Sequence, residues 1–280
     1  MNAPKRTILI TGCSAGGIGY YCAHALRERG WRVFASCRKQ ADCDMLIGEG
    51  FDSPRLDYAD EPSLNAGLAE VLAATGGTLD ALFNNGAFAC PGAVEDIPAD
   101  ALRETFETNF FGLHTLTRLV IPVMRAQGHG RVVQNSSVLG YTPFRWRGAY
   151  AASKFALEGL TRVQQLEMRD TPVKVILIQP GAIRSNFRRN AATHFERWVD
   201  WEKSARADQY RDTLIPYLYE STDQKDPFTA GPDAVAKVLF KALDAPNPRA
   251  RYIVTAPAKV IAWAQRLLPE RLVNAFLARQ

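Results

Sequence analysis

Tyr150 and Lys154 stand four positions apart in the segment GAYAASK, a spacing that places both side chains on one face of a helix. A tyrosine hydroxyl with a pKa of ~10 exchanges protons poorly at neutral pH. A neighbouring ammonium group favours the phenolate and lowers that pKa toward the working range. The pair therefore predicts a general acid and base that exchanges a proton with the oxygen of a carbonyl or an alcohol.

Two polar residues upstream extend this pair. Ser137 follows a predicted strand, thirteen residues before Tyr150, where its hydroxyl can hydrogen-bond a carbonyl oxygen as charge develops on it. Asn109 lies in ETNFFG, inside a long apolar helical segment, where an amide can fix a water or a backbone group. Each residue alone has a plain structural explanation, as a surface pair, a turn or a solvent-facing amide. Together they favour a catalytic site.

A glycine-rich loop occupies the turn between the first predicted strand and the helix after it. In TGCSAGGIG, Gly12 ends the strand and Gly17-Ile18-Gly19 leads into the helix, an arrangement that brings backbone N–H groups against a dinucleotide pyrophosphate. The fingerprint TGxxxGIG is one residue shorter than this loop. The surplus residue falls at Ala15-Gly16, where glycine lengthens the loop at little steric cost. We interpret it as an insertion in a cofactor loop.

The second predicted strand ends in Cys37-Arg38-Lys39. A site built for NAD places a carboxylate at this point to bind the ribose 2′-hydroxyl. Here a neutral residue is followed by two cations, which suits the 2′-phosphate of NADP(H). The alternative is a pair of solvated charges after a strand.

These residues sit in a regular alternation of strand and helix signals. Apolar, β-rich runs predict strands at residues 7–11, 32–36, 55–57 (weakly), 79–84, 131–135, 173–179 and 251–255. Helical patterns fill the intervals at residues 18–29, 61–74, 99–126, 149–169 and 232–244. Such alternation predicts one α/β domain, residues 1–280, of the Rossmann type: a doubly wound parallel sheet with helices on both faces.

Two segments fall outside this alternation. Residues 185–229, called the lid segment below, form a long polar insertion with five large rings: Trp198, Trp201, Tyr210, Tyr217 and Tyr219. Such an insertion is typical of a substrate lid, with a plain surface excursion as the alternative. The C-terminal tail, residues 257–280, has the apolar spacing of an amphipathic helix. We favour its packing on the body of the protein over weak peripheral contact with a membrane.

Composition narrows the function classes. The net charge of +5 and pI of about 9.0 come without a sustained basic cluster, so we expect no nucleic-acid partner. The five cysteines show no CxxC or Cys/His ligand spacing, so we expect no metal and reduced thiols in a cytoplasmic protein. No secretory leader precedes Thr7, and no apolar run approaches the ~18 residues that span a bilayer.

The glycine loop and the Asn, Ser, Tyr and Lys set resemble the short-chain dehydrogenase/reductase family, in its Tyr-x-x-x-Lys branch, over about residues 7–256. The resemblance implies that Tyr150 donates and accepts the proton and that Lys154 lowers its pKa and binds the nicotinamide ribose. It also implies that Ser137 orients the substrate carbonyl and that Asn109 supports a water of the proton relay.

The resemblance further implies contacts to NADP(H). Asp57 matches an adenine-contacting aspartate, and PGAIRS matches the family's PGxxxT, with Ile183 at the carboxamide and Ser185 on the phosphate. The implied cofactor contacts are Gly12, Ser14, Gly17, Ile18, Gly19, Arg38, Lys39, Asp57, Asn85, Gly86, Tyr150, Lys154, Pro180, Ile183 and Ser185. The order Asn84-Asn85-Gly86-Ala87 departs from the family's NNAG and puts a Cβ where the backbone usually passes close to the cofactor ribose.

Within the family, NFFG, GAYAASKFALEG and RLLPERLVNAFL resemble bacterial reductases of lipophilic aldehydes and the retinol and 17β-hydroxysteroid dehydrogenases. We therefore expect NADP(H)-dependent reduction of lipophilic aldehydes or ketones. The alternatives are a hydroxysteroid or retinol dehydrogenase, a reductase of a phosphorylated lipid ketone such as acyl-dihydroxyacetone phosphate, and a non-catalytic NADP(H)-binding regulator. A homodimer or homotetramer, joined through helices 99–126 and 149–169, is the expected assembly.

Overall fold

The structure, a computed structural model, describes residues 5–219 and 228–278. Within this part of the chain six parallel strands form one sheet in the order β2-β1-β3-β4-β5-β6. The strands are β1 (Thr7–Thr11), β2 (Arg32–Ser36), β3 (Ala81–Asn84), β4 (Gly130–Asn135), β5 (Val173–Gln179) and β6 (Arg251–Ile253). The predicted parallel sheet is confirmed, and six of the seven predicted strands belong to it.

Helices connect the strands and cover both faces of the sheet. They are α1 (Ile18–Glu28), α2 (Gln40–Gly48), α3 (Glu61–Thr75), α4 (Ala99–Phe106), α5 (Gly112–Ala126), α6 (Gly148–Glu167), α7 (Phe187–Trp198), α8 (Ala207–Gln209), α9 (Ile215–Tyr219), α10 (Asp233–Asp244), α11 (Ala256–Leu267) and α12 (Glu270–Leu277). The predicted helices outside the lid segment and the C-terminal tail are present within two residues of their expected bounds. The short α2 was not predicted.

The β1 sequence shows why the sheet has two cores. Side chains of successive strand residues point to opposite faces, and every residue of TILIT is buried. Ile8 and Ile10 pack in one cluster with residues of α1 and α10. Leu9 packs in the other, with residues of α3, α5 and α6. A strand that is buried at every position, with an apolar centre, is typical of a parallel sheet with helices on both sides.

The strand order creates a crevice at the carboxyl ends of β1 and β3. From β1 the chain passes outward to β2 and later returns to β3 on the other side of β1. The loops after β1 and β3 therefore leave the sheet side by side, and the Asn85 Nδ2 group donates to the Thr11 carbonyl at 2.9 Å. Ligands of open α/β sheets bind at such a switch point.

The prediction of a weak strand at residues 55–57 is wrong. The chain runs beside β2 there, but it makes only isolated bridges, Phe34 to Asp52 and Cys37 to Arg55. Pro54 lies between the two bridges and has no N–H group to donate. A continuous ladder cannot form across it, although the segment still brings Asp57 close to the end of β2.

The helix predicted at residues 99–126 runs through that whole range, but it contains a π-helical turn. α4 passes into this turn at Glu107–Phe111, and α5 follows at Gly112. Gly112 is close-packed, since a Cβ there would meet the backbone carbonyl of Tyr58. π turns inside α-helices occur frequently at functional sites, and this one contains Asn109.

The C-terminal tail forms two helices, α11 and α12, which part at Pro269 because proline ends a helical run. We expected the apolar residues of the tail to pack on the body of the protein, and for most of its large apolar side chains this is wrong. Ala258, Val273 and Leu277 are buried, whereas five large apolar side chains are exposed: Val260, Trp263, Leu267, Leu268 and Leu272. A small alanine is the buried contact of α11, so the larger residues point outward.

All five cysteines are buried and none forms a disulfide. Among the residues that the structure describes, no cluster of three or more His, Cys, Asp or Glu has the arrangement of a metal site. No helix of residues 5–219 and 228–278 is long and apolar enough to cross a bilayer.

Candidate active site

The predicted acid-base pair lies on α6, at the edge of the sheet where the strands end. Tyr150 and Lys154 occupy the first turns of α6, and both side chains are buried. The Lys154 Nζ lies 5.6 Å from the centre of the Tyr150 ring. The spacing of four residues therefore places the two groups on one helix face, as expected.

The Lys154 amine donates to the backbone carbonyl of Asn135, at the end of β4, at 2.8 Å. Burial lowers the pKa of Lys154 to about 7, and the negative charge of Glu158 opposes that decrease. Glu158 is itself buried one turn further along α6, where it accepts from Gln179 Nε2 at 2.7 Å and pairs with Arg162. The carboxylate is therefore held beneath the lysine by β5 and its own helix.

Ser137 lies two residues after the end of β4 and caps the short 3₁₀ helix Val138–Gly140, whose Leu139 N–H donates to the Ser137 hydroxyl at 3.1 Å. Its hydrogen bond to Tyr150 lowers the tyrosine pKa, but desolvation by burial is the larger effect and raises that pKa above its ordinary value. The expected lowering of the Tyr150 pKa is thus not found in the folded chain. The cause is burial of the ring, to which α7 contributes through Phe187.

Asn109 anchors a loop to α6. Its Oδ1 accepts from the Phe88 N–H at 3.0 Å, and its Nδ2 donates to the Phe88 carbonyl at 2.8 Å and to Ser153 Oγ at 3.2 Å. Both amide hydrogens are used in these two donor bonds. The side chain therefore positions the chain after β3 against α6. Because both amide hydrogens are used, a bond from Asn109 to a water of the proton relay would have to be made by another group of this residue.

The glycine-rich loop is tightly packed against the chain after β3. Gly12 has φ +68, and a Cβ there would lie 2.7 Å from Gly86 Cα; a Cβ on Gly19 would lie 2.6 Å from the Gly12 carbonyl. The Thr11 hydroxyl accepts from the N–H groups of Asn85 and Gly86 at 2.9 and 3.1 Å. Glycine is needed at these positions for close approach of backbone to backbone.

The order Asn85-Gly86-Ala87 fits this packing. A Cβ on Gly86 would lie 2.9 Å from the Tyr58 ring, so glycine is required before alanine. The Ala87 side chain packs instead in the apolar cluster around Tyr150. Asn85 also accepts from Asn135 Nδ2 at 2.8 Å, which joins the loops after β3 and β4.

The end of β2 presents cations and one nearby carboxylate. Arg38 and Lys39 are exposed, while Cys37 is buried. The Ser14 hydroxyl, in the glycine-rich loop, donates to Asp42 Oδ2 at 2.8 Å. The two cations suit a phosphate, whereas Asp42 on α2 repels one. Asp42 was not identified from the sequence, because its closeness to Ser14 depends on the unpredicted α2.

Local hydrogen bonds hold two more of the residues predicted to contact the cofactor, Asp57 and Pro180. Asp57 turns the chain after the two isolated bridges, with its carboxylate accepting from the Ala59 N–H at 3.0 Å. The Pro180 carbonyl accepts from the Val138 N–H at 2.7 Å, which ties PGAIRS to the Ser137 turn. Gly17 and Ile18 lead into α1, and Ile183 forms a parallel bridge with Ala230.

Helix α7, the first part of the lid segment, covers the acid-base pair. Phe187 meets the Tyr150 ring edge-on at 5.3 Å between ring centres, and the His194 ring stacks on Phe88 at 3.9 Å. Ala191 packs in the same cluster as Tyr150. The sequence gives only a weak signal for these contacts: apolar residues recur along α7 at helical spacing.

The five rings named in the lid segment lie beyond α7 or at its end. Tyr210 is fully buried, and its hydroxyl accepts from the Ala93 N–H at 2.7 Å and donates to Asp96 at 2.8 Å. An open cavity of about 600 Å³ lies beside this cluster. Its lining is partly apolar (Phe195, Trp198, Val199, Trp201, Ile215 and Tyr219) and partly charged (Glu196, Arg197, Asp200 and Glu202). Residues 220–227 of the lid segment lie outside the described residues, as do residues 1–4 and 279–280.

A nicotinamide dinucleotide fits the edge built by these residues. Glycines crowd the turn into α1 at the switch point, cations lie at the end of β2, and the acid-base pair lies after β4. The N–H groups that open α1 suit a pyrophosphate. Lys154, held by a carbonyl rather than an ion pair, keeps further donor hydrogens for a ribose.

Three comparisons agree with this geometry. Residues 6–195 match the model of the short chain dehydrogenase family. The uncharacterized oxidoreductase YbbO of Escherichia coli strain K12 is 34% identical over 273 residues, covering 98% of this chain and 94% of that protein. The NADPH-dependent 3-dehydrocapnine reductase of Ornithobacterium rhinotracheale is 27% identical over 282 residues, covering 96% and 95%. A short chain dehydrogenase/reductase of Burkholderia phymatum, solved in complex with NAD, is 21% identical with a TM-score of 0.76 over 94% of this chain and 95% of that one.

Proposed function

The chain belongs to the short chain dehydrogenase family of oxidoreductases, and we propose that it reduces the carbonyl of lipophilic aldehydes or ketones with NADPH. The observation that carries the proposal is the placement of Tyr150, Lys154 and Ser137 around one point at the carboxyl edge of the sheet, beside the glycine-rich loop. No other group of described residues combines a proton donor, a cation and a hydroxyl next to a dinucleotide crevice.

The chain's own residues supply the proton and the charge. Bound NADPH supplies the hydride for the carbonyl carbon. Tyr150 then gives its hydroxyl proton to the developing alkoxide, and Ser137 holds that oxygen by a hydrogen bond. A positive charge on Lys154 favours the phenolate that remains, because the pair is buried and the attraction is only weakly screened. Asn109 keeps the chain after β3 in place through its bonds to Phe88.

The preference for NADPH rests on Arg38 and Lys39, which follow β2 where an NAD site carries a carboxylate. Both side chains are exposed and available to a phosphate. The relative from Ornithobacterium is described as NADPH-dependent. Asp42 opposes the preference and makes it smaller than the two cations alone would give.

The lipophilic substrate class rests on the surroundings of Tyr150. Ala87, Ala89, Leu139, Phe187 and Ala191 make an apolar wall around its ring, and the aromatic cavity of the lid segment extends beyond α7. Named relatives include human retinol dehydrogenase 8 and a 3-ketodihydrosphingosine reductase of Bacteroides thetaiotaomicron. An apolar chain would lie along α7, with its carbonyl at Ser137.

A second candidate is reduction of a lipid ketone that carries a phosphate. Arg188 of α7 and Arg147, just before α6, both stack on the Tyr217 ring, at 4.1 and 4.7 Å. Arg184 and Arg189 are exposed nearby in sequence. Such a cationic group favours an anionic substrate, whose KM would rise with salt because charges near the surface are screened. A KM that is indifferent to salt favours a neutral substrate.

The experiment titrates the purified protein with NADPH and NADH by nicotinamide fluorescence. It then measures turnover of aldehydes from butanal to hexadecanal, with retinal and a steroid ketone. We expect tighter binding of NADPH and turnover that increases with chain length, abolished in Tyr150→Phe. Binding without turnover of any compound would favour the phosphorylated ketone or a non-catalytic regulator. Undiminished turnover by Tyr150→Phe would contradict the mechanism.

We further propose that the protein is a cytoplasmic homodimer or homotetramer. Exposed apolar residues line the two long helices at Phe111, Phe155, Leu160, Val163 and Leu166, and covering them in a second copy would remove their apolar surface from water. The exposed side of the C-terminal tail, with Trp263 among apolar and basic residues, is suited to a weak peripheral contact with an anionic membrane.

A further inference from the structure

The surplus residue of the glycine-rich loop is bonded to the start of helix α7. The Asn186 backbone N–H donates to the Gly16 carbonyl at 3.2 Å, and the Asn186 side-chain Nδ2 donates to the Ala15 carbonyl at 2.8 Å. Ala15-Gly16 is the pair at which the loop is one residue longer than TGxxxGIG. Two hydrogen bonds therefore join the insertion to a residue that lies 171 positions beyond Ala15 in the chain.

The loop is shaped around this side chain. Gly16 has φ +72, a left-handed conformation that favours glycine, and the nearest heavy atom to a Cβ placed there would be Asn186 Nδ2. A loop of eight residues would lack one of the two carbonyls that face Asn186. The insertion thus has a structural partner on the opposite side of the crevice.

Asn186 directly precedes α7, and α7 covers the acid-base pair. Phe187 contacts the Tyr150 ring and His194 stacks on Phe88. Ser185, the residue before Asn186, accepts from the Phe187 N–H at 3.4 Å. One short segment therefore touches the glycine-rich loop at its beginning and the proton donor within the next turn.

We propose that Asn186 is a positioning residue that fastens α7 to the inserted residues of the glycine-rich loop, so that the loop and α7 close together over the nucleotide crevice. The inference rests on the proposed cofactor site. Because the two bonds join the loop after β1 to the residue that starts α7, they must break before α7 can swing away from the loop. Release of the nucleotide and exposure of Tyr150 are thereby linked.

The experiment compares the wild-type full chain with Asn186→Ala, with a deletion of Ala15, and with Asn190→Ala as the matched control. Asn190 is exposed one turn further along α7. NADPH dissociation is followed by stopped-flow fluorescence, with excess NADP⁺ as the chase. Amide hydrogen exchange of residues 187–198 is measured in the protein without nucleotide.

Loss of one hydrogen bond changes a rate or an opening equilibrium by about fivefold. We expect about fivefold faster NADPH release and faster exchange over α7 in Asn186→Ala and in the Ala15 deletion, with Asn190→Ala like the wild type. Release and exchange in Asn186→Ala equal to those of Asn190→Ala would overturn the inference. If the wild type binds no NADPH, the proposed cofactor is wrong, and the hydrogen exchange of α7 still decides whether Asn186 fastens it.

Discussion

Glu158 lies one helical turn beyond Lys154 on α6, buried like it, and its charge is the one that works against the decrease in the Lys154 pKa. The carboxylate contacts neither the proposed substrate position nor Tyr150 in the structure. Its bonds to Gln179 and Arg162 hold it in place. The charge state of Lys154, the proposed catalytic lysine, is therefore set in part by a residue one turn away.

Glu158→Gln should lower the Lys154 pKa further below about 7, because the opposing negative charge is gone while the bond to Gln179 is kept. If activity needs the ammonium form, the alkaline limb of the pH profile of kcat/KM should move toward acid by about one pH unit. Glu167→Gln, on the exposed end of the same helix, is the control. An unmoved limb would show that Glu158 does not tune the lysine.

Lys154→Met should raise the free energy of unfolding at pH 7, by on the order of 1–3 kcal/mol, because it removes the cost of burying an amine. The folded pKa is about 7 and the unfolded one ~10.4. Between these values the unfolded chain binds more protons, so wild-type stability rises with pH. The advantage of Lys154→Met should therefore be largest at pH 7 and below, and it should shrink toward pH 10. Urea unfolding at three pH values measures it, and a constant difference would contradict burial as the cause.

Asp42→Asn should strengthen NADPH binding by about three- to tenfold, because it removes a negative charge beside Ser14. NADH binding should change little, since it carries no 2′-phosphate. Fluorescence titration with both nucleotides measures the ratio. Asp44→Asn on the same helix, bonded to Gln40, is the control. Equal strengthening for NADH would place Asp42 away from the 2′-phosphate.

Trp198→Ala and Trp201→Ala should raise the KM for hexadecanal by about tenfold more than the KM for butanal, because both rings line the lid cavity and a long chain buries more apolar area there. The thermal stability of both variants should be measured alongside the kinetics, because Trp198 also donates a hydrogen bond to Glu104. Equal changes for short and long aldehydes would count against a chain-binding lid.

Trp263→Glu and Leu267→Glu should weaken sedimentation with anionic lipid vesicles by about tenfold, because each places a charge on an exposed apolar helix side, where the two residues are 67% and 69% exposed. Ile47→Glu, on α2 and 53% exposed, should leave the sedimentation unchanged. If the wild-type chain does not bind the vesicles, the proposed membrane contact is wrong, and contact with a second copy of the chain becomes the favoured role of this surface.

The strand, loop and helix order could be predicted because hydrophobic periodicity is local, and so could the shared face of Tyr150 and Lys154. The third strand was misread because a short run next to Pro54 resembles a strand but cannot donate at that residue. The direction of the Tyr150 pKa and the role of Asp42 could not be predicted. The Tyr150 pKa depends on burial of its ring, to which the later helix α7 contributes. The role of Asp42 depends on the packing of α2, which places its carboxylate beside Ser14, 28 residues earlier in the chain.

The burial of every cysteine has a consequence for the proposed reduction of reactive carbonyl compounds. Aldehydes, and unsaturated ones above all, modify proteins by adding to thiolate sulfur. Burial raises the pKa of Cys90 to about 11 and that of Cys37 to about 12, which keeps these thiols protonated as well as shielded. An electrophilic carbonyl compound of the proposed substrate class would therefore meet these two thiols buried and protonated rather than as exposed thiolates.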